Sequence, residues 1–238
     1  MEVLAIIPAR QGSIGIPDKN IKDFAGHPLM HYSITAGLQA HYVDRVIVST
    51  DSIKYIDIAV AGGAETPFAR PAKHAGDSTR DFPVIEHALT WLREEESYKP
   101  DIIVQLRPTS PLRPAGLVDS GIELLCSDKQ ADSVRTVAPP HQNPFKMWQV
   151  HEGYLLPLMN APEIPEVYNA PRQELPSVLW QTGHLEVFRY ETVMQKKSLT
   201  GDKILPLPVD AKYCVDLDSP QDWAWGEQVA KSLLLCEN

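Results

Sequence analysis

The sequence predicts an α/β protein: a mainly parallel sheet with helices on both faces. Three observations carry this reading. Short, β-branched apolar runs alternate with segments of helical period through the first half of the chain. Connections of ten or more helical residues between successive runs imply right-handed crossovers and parallel strands. A loop rich in glycine and positive charge follows the first run, and open parallel sheets collect their ligands at the carboxyl ends of the strands.

In order along the chain, Val3–Ile7 reads as the first strand and residues from about Pro28 to His41 as a helix. "RVIVST" (Arg45–Thr50) reads as the second strand. Ile53, Ile56 and Val60 recur at helical spacing, and Val84, Ile85, Ala88, Leu89 and Leu92 form the apolar face of another helix. "DIIVQL" (Asp101–Leu106) is a buried-type strand, Val118, Ile122 and Leu125 mark a helix, and "SVRTV" (Ser133–Val137) is a strand. After an irregular stretch come "HLEVFR" (His184–Arg189), a short helix and the extended "YCVDLDS" (Tyr213–Ser219). Ser219, Pro220 and Asp222 then supply an N-cap, a first-turn proline and the acid of a capping box, so a last helix starts there.

The irregular stretch holds Pro139, Pro140, Pro144, Pro157, Pro162, Pro165, Pro171 and Pro176, eight of the chain's 21 prolines, which excludes a central strand. It also holds "KMW" and "YLLPLM", a liability if left bare to water. An arm over about 139–180, packed against a second subunit, explains both features. The expectation is therefore a single domain over 1–238 with this arm inserted in it.

The 238 residues, 43% hydrophobic and 22% charged, suffice for one domain with a full core. A net charge of -9 argues against nucleic-acid binding, which draws its affinity from Lys and Arg on phosphates. Cys126, Cys214 and Cys236 form no C-x-x-C pair, as expected of a reduced, cytoplasmic chain. The opening "MEVLAIIPAR" has too short an apolar run for a signal segment, and no stretch is long enough to span a membrane. His31, His87 and His184 lack metal-ligand spacing and read as structural.

The loop "IIPARQGSIGIPDKN" (Ile6–Asn20) fits neither the G-x-x-x-x-G-K-[ST] phosphate loop nor the G-x-G-x-x-G fingerprint. Its glycines still allow backbone N–H groups to converge on phosphate oxygens, with Arg10 and Lys19 to neutralise charge. The alternative is an ordinary strand-to-helix connection. In "VDLD", residues two apart in a strand share a face, so Asp216 and Asp218 aim at one spot and Leu217 points into packing. Close carboxylates repel unless a proton or cation joins them, and Mg²⁺ suits one or two carboxylates plus phosphate oxygens. The alternative there is a solvated acidic turn.

The loop resembles the N-terminal signature of the CMP-sialic acid synthetase (acylneuraminate cytidylyltransferase) family. "VSTD" (Val48–Asp51), "ARPAKHAGDSTRDFPVIEHAL" (Ala69–Leu89), "RPTSPLR" (Arg107–Arg113), "NPFK" (Asn143–Lys146), "PRQELP" (Pro171–Pro176) and "VDLDSPQDW" (Val215–Trp223) resemble that family in the same order. The resemblance implies a Rossmann-like three-layer α/β/α nucleotidyltransferase fold and an enzyme that joins CTP to a 2-keto sugar acid, releasing pyrophosphate. It implies nucleotide contacts from Ala9, Arg10, Gly12, Ser13, Lys19, Asn20, Arg70 and Asp77. Sugar-acid contacts fall to Arg107, Thr109, Ser110, Thr182 and Gly183. Lys146 and Arg172 would reach the site from the neighbouring subunit of a homodimer. Asp216 and Asp218 would hold Mg²⁺, or Mn²⁺, with Arg10, Lys19 and Asp216 as the catalytic set.

Three positions depart from the family's pattern. Ile14 stands for the usual loop Lys, Arg107 for a Gln before Pro-Thr-Ser, and Thr182 for an Asn before Gly183. They leave open a legionaminic, pseudaminic, Kdo-like or other sugar acid, and even the nucleotide. A glycosyltransferase using "DLD" as a D-x-D motif and a catalytically silent nucleotide-binding protein are the rival readings.

Overall fold

A computed structural model describes residues 1–236, with side chains through Leu233. The chain builds a six-stranded sheet in the order β10-β6-β9-β5-β1-β4. These strands are β1 (Val3–Pro8), β4 (Arg45–Ser49), β5 (Ile102–Gln105), β6 (Ser133–Ala138), β9 (Trp180–Arg189) and β10 (Ile204–Pro208). Pairings β1–β4, β1–β5 and β10–β6 are parallel, while β9 runs antiparallel between β5 and β6. The expected β9 segment began at His184, four residues late. Gln181, Thr182 and Gly183 belong to the strand, which continues past a register shift opposite Arg135–Val137. The edge strand β10 carries Pro206 and Pro208, consistent with the rule that keeps ladder prolines at edges.

Helices α1 (Leu29–Leu38), α2 (Ile53–Ala61), α3 (Asp81–Glu95), α4 (Leu117–Ser127), α5 (Tyr190–Met194) and α6 (Pro220–Cys236) surround the sheet. Alternate residues of β1 serve its two faces. Val3, Ala5 and Ile7 join the core under α1, α2 and α4, whereas Leu4 and Ile6 join Ile85, Leu89 and Leu92 of α3. Five of β1's six residues are fully buried, as in a sheet covered on both sides. All the apolar positions expected for α3 are buried. In α2 the helix forms, but Ile53 and Val60 point to solvent and Tyr55 and Ala59 face the core. The buried Tyr55 also donates its hydroxyl to Asp18 Oδ1 at 3.1 Å.

No strand forms over Tyr213–Ser219, contrary to the extended-strand expectation. The segment is extended but unladdered after a 3₁₀ turn (Ala211–Tyr213). Alternation survives, with Val215 and Leu217 buried and Asp216 and Asp218 exposed. The capping box is present. Ser219 N–H and Oγ donate to Asp222 Oδ2 at 2.8 and 2.7 Å, and Asp222 N–H donates to Ser219 Oγ at 3.2 Å.

A short hairpin of β2 (Asp23–Phe24) and β3 (His27–Pro28) closes the opening loop. Between β6 and β9 the Pro-rich segment forms the hairpin β7 (Trp148–His151) and β8 (Tyr154–Pro157), joined through Glu152 and Gly153, both left-handed. Phe145, Ala161, Val167, Ala170 and Leu175 give this segment a small core of its own. Cys126 is exposed and Cys214 buried, both free thiols, while the Cys236 side chain lies outside the described residues. No described helix is long and apolar enough to cross a membrane.

Asp132 ties β10 to the sheet. Its Oδ2 accepts from Lys196 Nζ at 2.8 Å and from the N–H groups of Asp202 and Lys203 at 2.8 and 3.1 Å. Burial alone would raise the Asp132 carboxyl, but the Lys196 and backbone hydrogen bonds overcome it and hold it at about 2. A depressed carboxylate stabilises the fold above its unfolded value of about 3.9 and loses that contribution as pH falls toward its folded value. Asp132→Ala is expected to cost about 1.5–3 kcal/mol at pH 7. The difference from wild type should shrink between pH 4 and about 2 in urea titrations.

Candidate active site

A cleft of about 320 Å³ opens over the carboxyl ends of β1, β4 and β5. The opening loop supplies Arg10, Ser13, Ile14, Gly15, Lys19 and Asn20. Residues Arg70, His74, Thr79 and Asp81 come from the approach to α3 and its first turn, Arg107 and Thr109 from the end of β5, and Asp218 from the segment before α6. Eight of the residues expected from the sequence therefore line one cavity: Arg10, Ser13, Lys19, Asn20, Arg70, Arg107, Thr109 and Asp218.

The loop is shaped by its own hydrogen bonds. Arg10 Nη1 donates to the carbonyl oxygens of Gln11 and Gly12 at 3.2 and 2.9 Å, with Gly12 left-handed at φ 78°. Arg10 Nη2 lies 2.7 Å from Asp77 Oδ1, which explains Asp77's place beside the nucleotide loop although it does not line the cavity. Asn20 Nδ2 donates to the Arg10 carbonyl at 2.9 Å, and Gln11 N–H to Asp51 Oδ1 at 2.9 Å. Ala9 is fully buried and continues the ladder through its N–H to Ser49 O, so only its backbone borders the loop.

The far end of the chain closes against this loop. Lys19 Nζ donates to the Leu217 carbonyl at 2.6 Å and to Asp218 Oδ1 at 2.9 Å. A Cβ on Gly15 would stand 2.3 Å from the Asp218 carbonyl oxygen, so that position admits only glycine at this approach. Leu217 N–H donates to the Thr109 carbonyl at 3.0 Å. Desolvation and then the Asp218 charge push the Asp216 carboxyl up, against opposing effects of the Thr109 hydroxyl and the Lys19 and Arg107 charges. Asp218 lines the cavity and Asp216 does not, but the two carboxylates sense each other's charge, and paired carboxylate oxygens are the donors a hard divalent ion takes. Among the described residues no three His, Cys, Asp or Glu side chains converge as ligands, so further oxygens would come from substrate or water.

Arg70 is buried, donating Nε to Ser49 Oγ at 3.1 Å and Nη2 to the Ser49 carbonyl, and burial lowers it to about 10. Arg107 is held by two acids that sequence reasoning missed. Its Nε and Nη2 donate to Asp81 Oδ2 at 3.2 and 2.6 Å, and Nη1 donates to Glu186 Oε1 at 2.5 Å. Burial opposes its charge, but Glu186 and Asp81 more than offset this and raise the guanidinium. The only trace of Glu186 in the sequence is an acid inside the apolar run "HLEVFR". Arg113 braces the loop, donating to the carbonyls of His184 and Arg107 and to Ser33 Oγ.

Ser110 and Thr182 are buried under the cleft, at 1% and 2% exposure, with Ser110 Oγ donating to the Thr182 carbonyl at 3.3 Å. Gly183 sits against Ser110, and none of the three is among the residues that line the cavity. Lys146 and Arg172 lie in the Pro-rich segment, donating to the carbonyls of Ala170 (2.8 Å) and Pro140 (3.2 Å), outside this chain's cleft lining. His184 is structural, its Nε2 2.8 Å from the Tyr213 carbonyl oxygen, and burial lowers it to about 4.

The geometry agrees with comparisons to known proteins. The chain is 29% identical over 231 residues to the CMP-N,N'-diacetyllegionaminic acid synthase of Legionella pneumophila, covering 96% of each chain. It is 38% identical over 112 residues to the pseudaminic acid cytidylyltransferase of Campylobacter jejuni, covering 47% of this chain and 48% of the relative. Among solved structures, CMP:2-keto-3-deoxy-manno-octonic acid synthetase complexed with CTP superposes with a TM-score of 0.72 at 16% identity, over 98% of this chain and all of that one. The 4-diphosphocytidyl-2C-methyl-D-erythritol synthase of Anaerococcus prevotii superposes at 0.66 with 11% identity, over 97% of this chain and 98% of its own, and both share the fold. The cytidylyltransferase family profile matches residues 4–147, more than half the chain, and with the loop, the cleft and the closing carboxylates in place the chain belongs to the cytidylyltransferase family.

Proposed function

We propose that the protein joins CTP to a 2-keto sugar acid, giving a CMP-sugar and pyrophosphate. One observation carries this reading: in a chain of this family, the Arg10–Asn20 loop and Asp218 line a single cleft, with Asp216 two residues before Asp218 in the chain. The anomeric hydroxyl of the sugar acid attacks the α-phosphorus in line. The new O–P bond forms as the bond to pyrophosphate breaks, and the hydroxyl proton leaves to solvent or a nearby base. Arg10 and Lys19 counter the charge that builds on the departing pyrophosphate, and the glycine loop orients the triphosphate. Asp216 and Asp218 would hold Mg²⁺ or Mn²⁺, which when bound neutralises phosphate charge and makes the attacking hydroxyl more acidic. Free Cys126 and Cys214 thiols support work in the reducing cytoplasm.

A homodimer completes this reading. A two-stranded hairpin is marginal alone in water, yet β7–β8 exposes Val150 and Tyr154 at 75% and 76%, beside Trp148, Leu155 and Leu156. Docked on a second copy, the hairpin would be covered, and Lys146 and Arg172 on the same arm would be carried toward the other subunit's sugar-acid site.

Pyrophosphate release assayed with CTP, UTP, GTP and ATP against eight- and nine-carbon 2-keto acids tests the reaction. Release with CTP and an acid is expected; turnover only with another nucleotide or a sugar phosphate would overturn the substrate class, and nucleotide binding without turnover would favour a silent binding protein. Asp216→Asn should abolish release while leaving thermal unfolding within a few degrees, and unchanged activity would remove the metal role. Leu155→Glu forfeits at least the roughly 2 kcal/mol of a buried apolar side chain, about 30-fold in dimer Kd. Light scattering should then show monomers with reduced turnover; unchanged dimers would reject the arm as the interface.

A further inference from the structure

We infer that Asp81 and Glu186 are positioning residues that clamp Arg107 as a charge-compensated hydrogen-bond donor, and that this clamp selects the sugar acid through a neutral oxygen, a hydroxyl or amide carbonyl, and not through its carboxylate. The inference rests on the reading that the second substrate is a 2-keto sugar acid.

Strand order separates two halves of the cleft. The phosphate-type loop follows β1, and Arg70 is anchored at the end of β4. Arg107 follows β5, and its partner Glu186 sits on β9, on the opposite side of β1. Nucleotide and acceptor sugar therefore divide along the sheet, and the clamp belongs to the acceptor's half. Register places Gln105, Glu186 and Arg135 in one row across β5, β9 and β6. The row is cross-linked: Gln105 Nε2 donates to Asp81 Oδ2 at 2.9 Å, Gln181 Nε2 donates to Glu186 Oε1 at 2.6 Å, and Arg135 Nη2 lies 3.4 Å from Glu186 Oε2.

Charge in this cluster cancels, Arg107 and Arg135 against Asp81 and Glu186. Glu186's side chain is 2% exposed, so water screens little of its charge. Asp81 itself lines the cleft, and a substrate carboxylate brought beside it would meet repulsion, with Arg107's own charge already matched by Asp81 and Glu186. A guanidinium has five N–H donors. Three hydrogen bonds go to Asp81 and Glu186, which leaves two N–H groups on a side chain that borders the cavity. Held rigidly on two sides, they suit a neutral acceptor whose position on the sugar differs between acids.

The test keeps charge balance. Asp81→Asn/Arg107→Gln retains an amide donor, and Asp81→Asn/Arg107→Ala retains none. Steady-state pyrophosphate release is measured with CTP and two acids, a nine-carbon acid bearing acylamido groups and an eight-carbon acid without them. The Gln variant should keep kcat/KM for its preferred acid within about 10-fold of wild type, the Ala variant should lose about 30- to 100-fold, and KM for CTP should stay within about 2-fold in both. Equal losses in the two variants would show that the cation is required and overturn the neutral-oxygen assignment. Parallel rises in both KM values, or a change in melting temperature alone, would make the cluster merely structural. Should either double variant fail to fold, Asp81→Asn alone decides: an altered preference between the acids of about 10-fold with unchanged KM for CTP supports the clamp, and an unchanged preference rejects it. Wild-type silence with every acid would instead overturn the substrate class, and the inference with it.

Discussion

The structure depends on how the two ends of the chain meet at Lys19. Its ammonium lies among the Leu217 carbonyl and the Asp218 carboxylate, 198 and 199 residues away in sequence. Nothing local prepares this contact. The sheet must first place the β1 loop beside the approach to α6, and Gly15 must leave room for the Asp218 backbone. Thr109, at the end of β5, fixes the same segment from the other side. Two strand-end segments and the approach to α6 thus converge on one point, beside the cleft they line. A lysine 9% exposed is accommodated there because both its partners are oxygens, one of them a carboxylate.

Charge is distributed to match. A chain of net charge -9 collects Arg10, Lys19, Arg70 and Arg107 around one cavity. Each cation is anchored differently, and the anchors define what each can do. Arg70 is hydrogen-bonded to neutral groups of Ser49, with the Asp51 and Asp81 charges acting on it from further off. Arg10 is shared with Asp77. Arg107 is compensated by two acids, so the cavity is strongly cationic only over β1 and β4. A triphosphate suits that half; the compensated half suits a polyhydroxylated acceptor.

The Pro-rich segment follows from the same economy of hydrogen bonds. Prolines keep it out of the sheet, and its small core around Phe145 and Leu175 holds it together without joining the main one. What remains exposed is the apolar side of a hairpin, a surface that water disfavours and a second copy can cover.

The sequence by itself determined the elements and much of the loop chemistry. Short apolar runs marked β1, β4 and β5, because strands covered on both faces are apolar throughout, and helical spacing marked the buried face of α3. Family-like motifs located the loop, Arg70, Arg107 and the paired aspartates. Periodicity found helix α2 without saying that Tyr55 and Ala59, not Ile53 and Val60, face the core, and it missed β10 and the antiparallel start of β9. The burial of Ser110 and Thr182 beside the cleft was likewise not legible in the sequence. Only the tertiary structure decided which partners hold the site's cations. Asp81 and Glu186 stand 26 and 79 residues from Arg107, and contacts at such separations are set by strand order and register across the whole sheet, which no local pattern encodes.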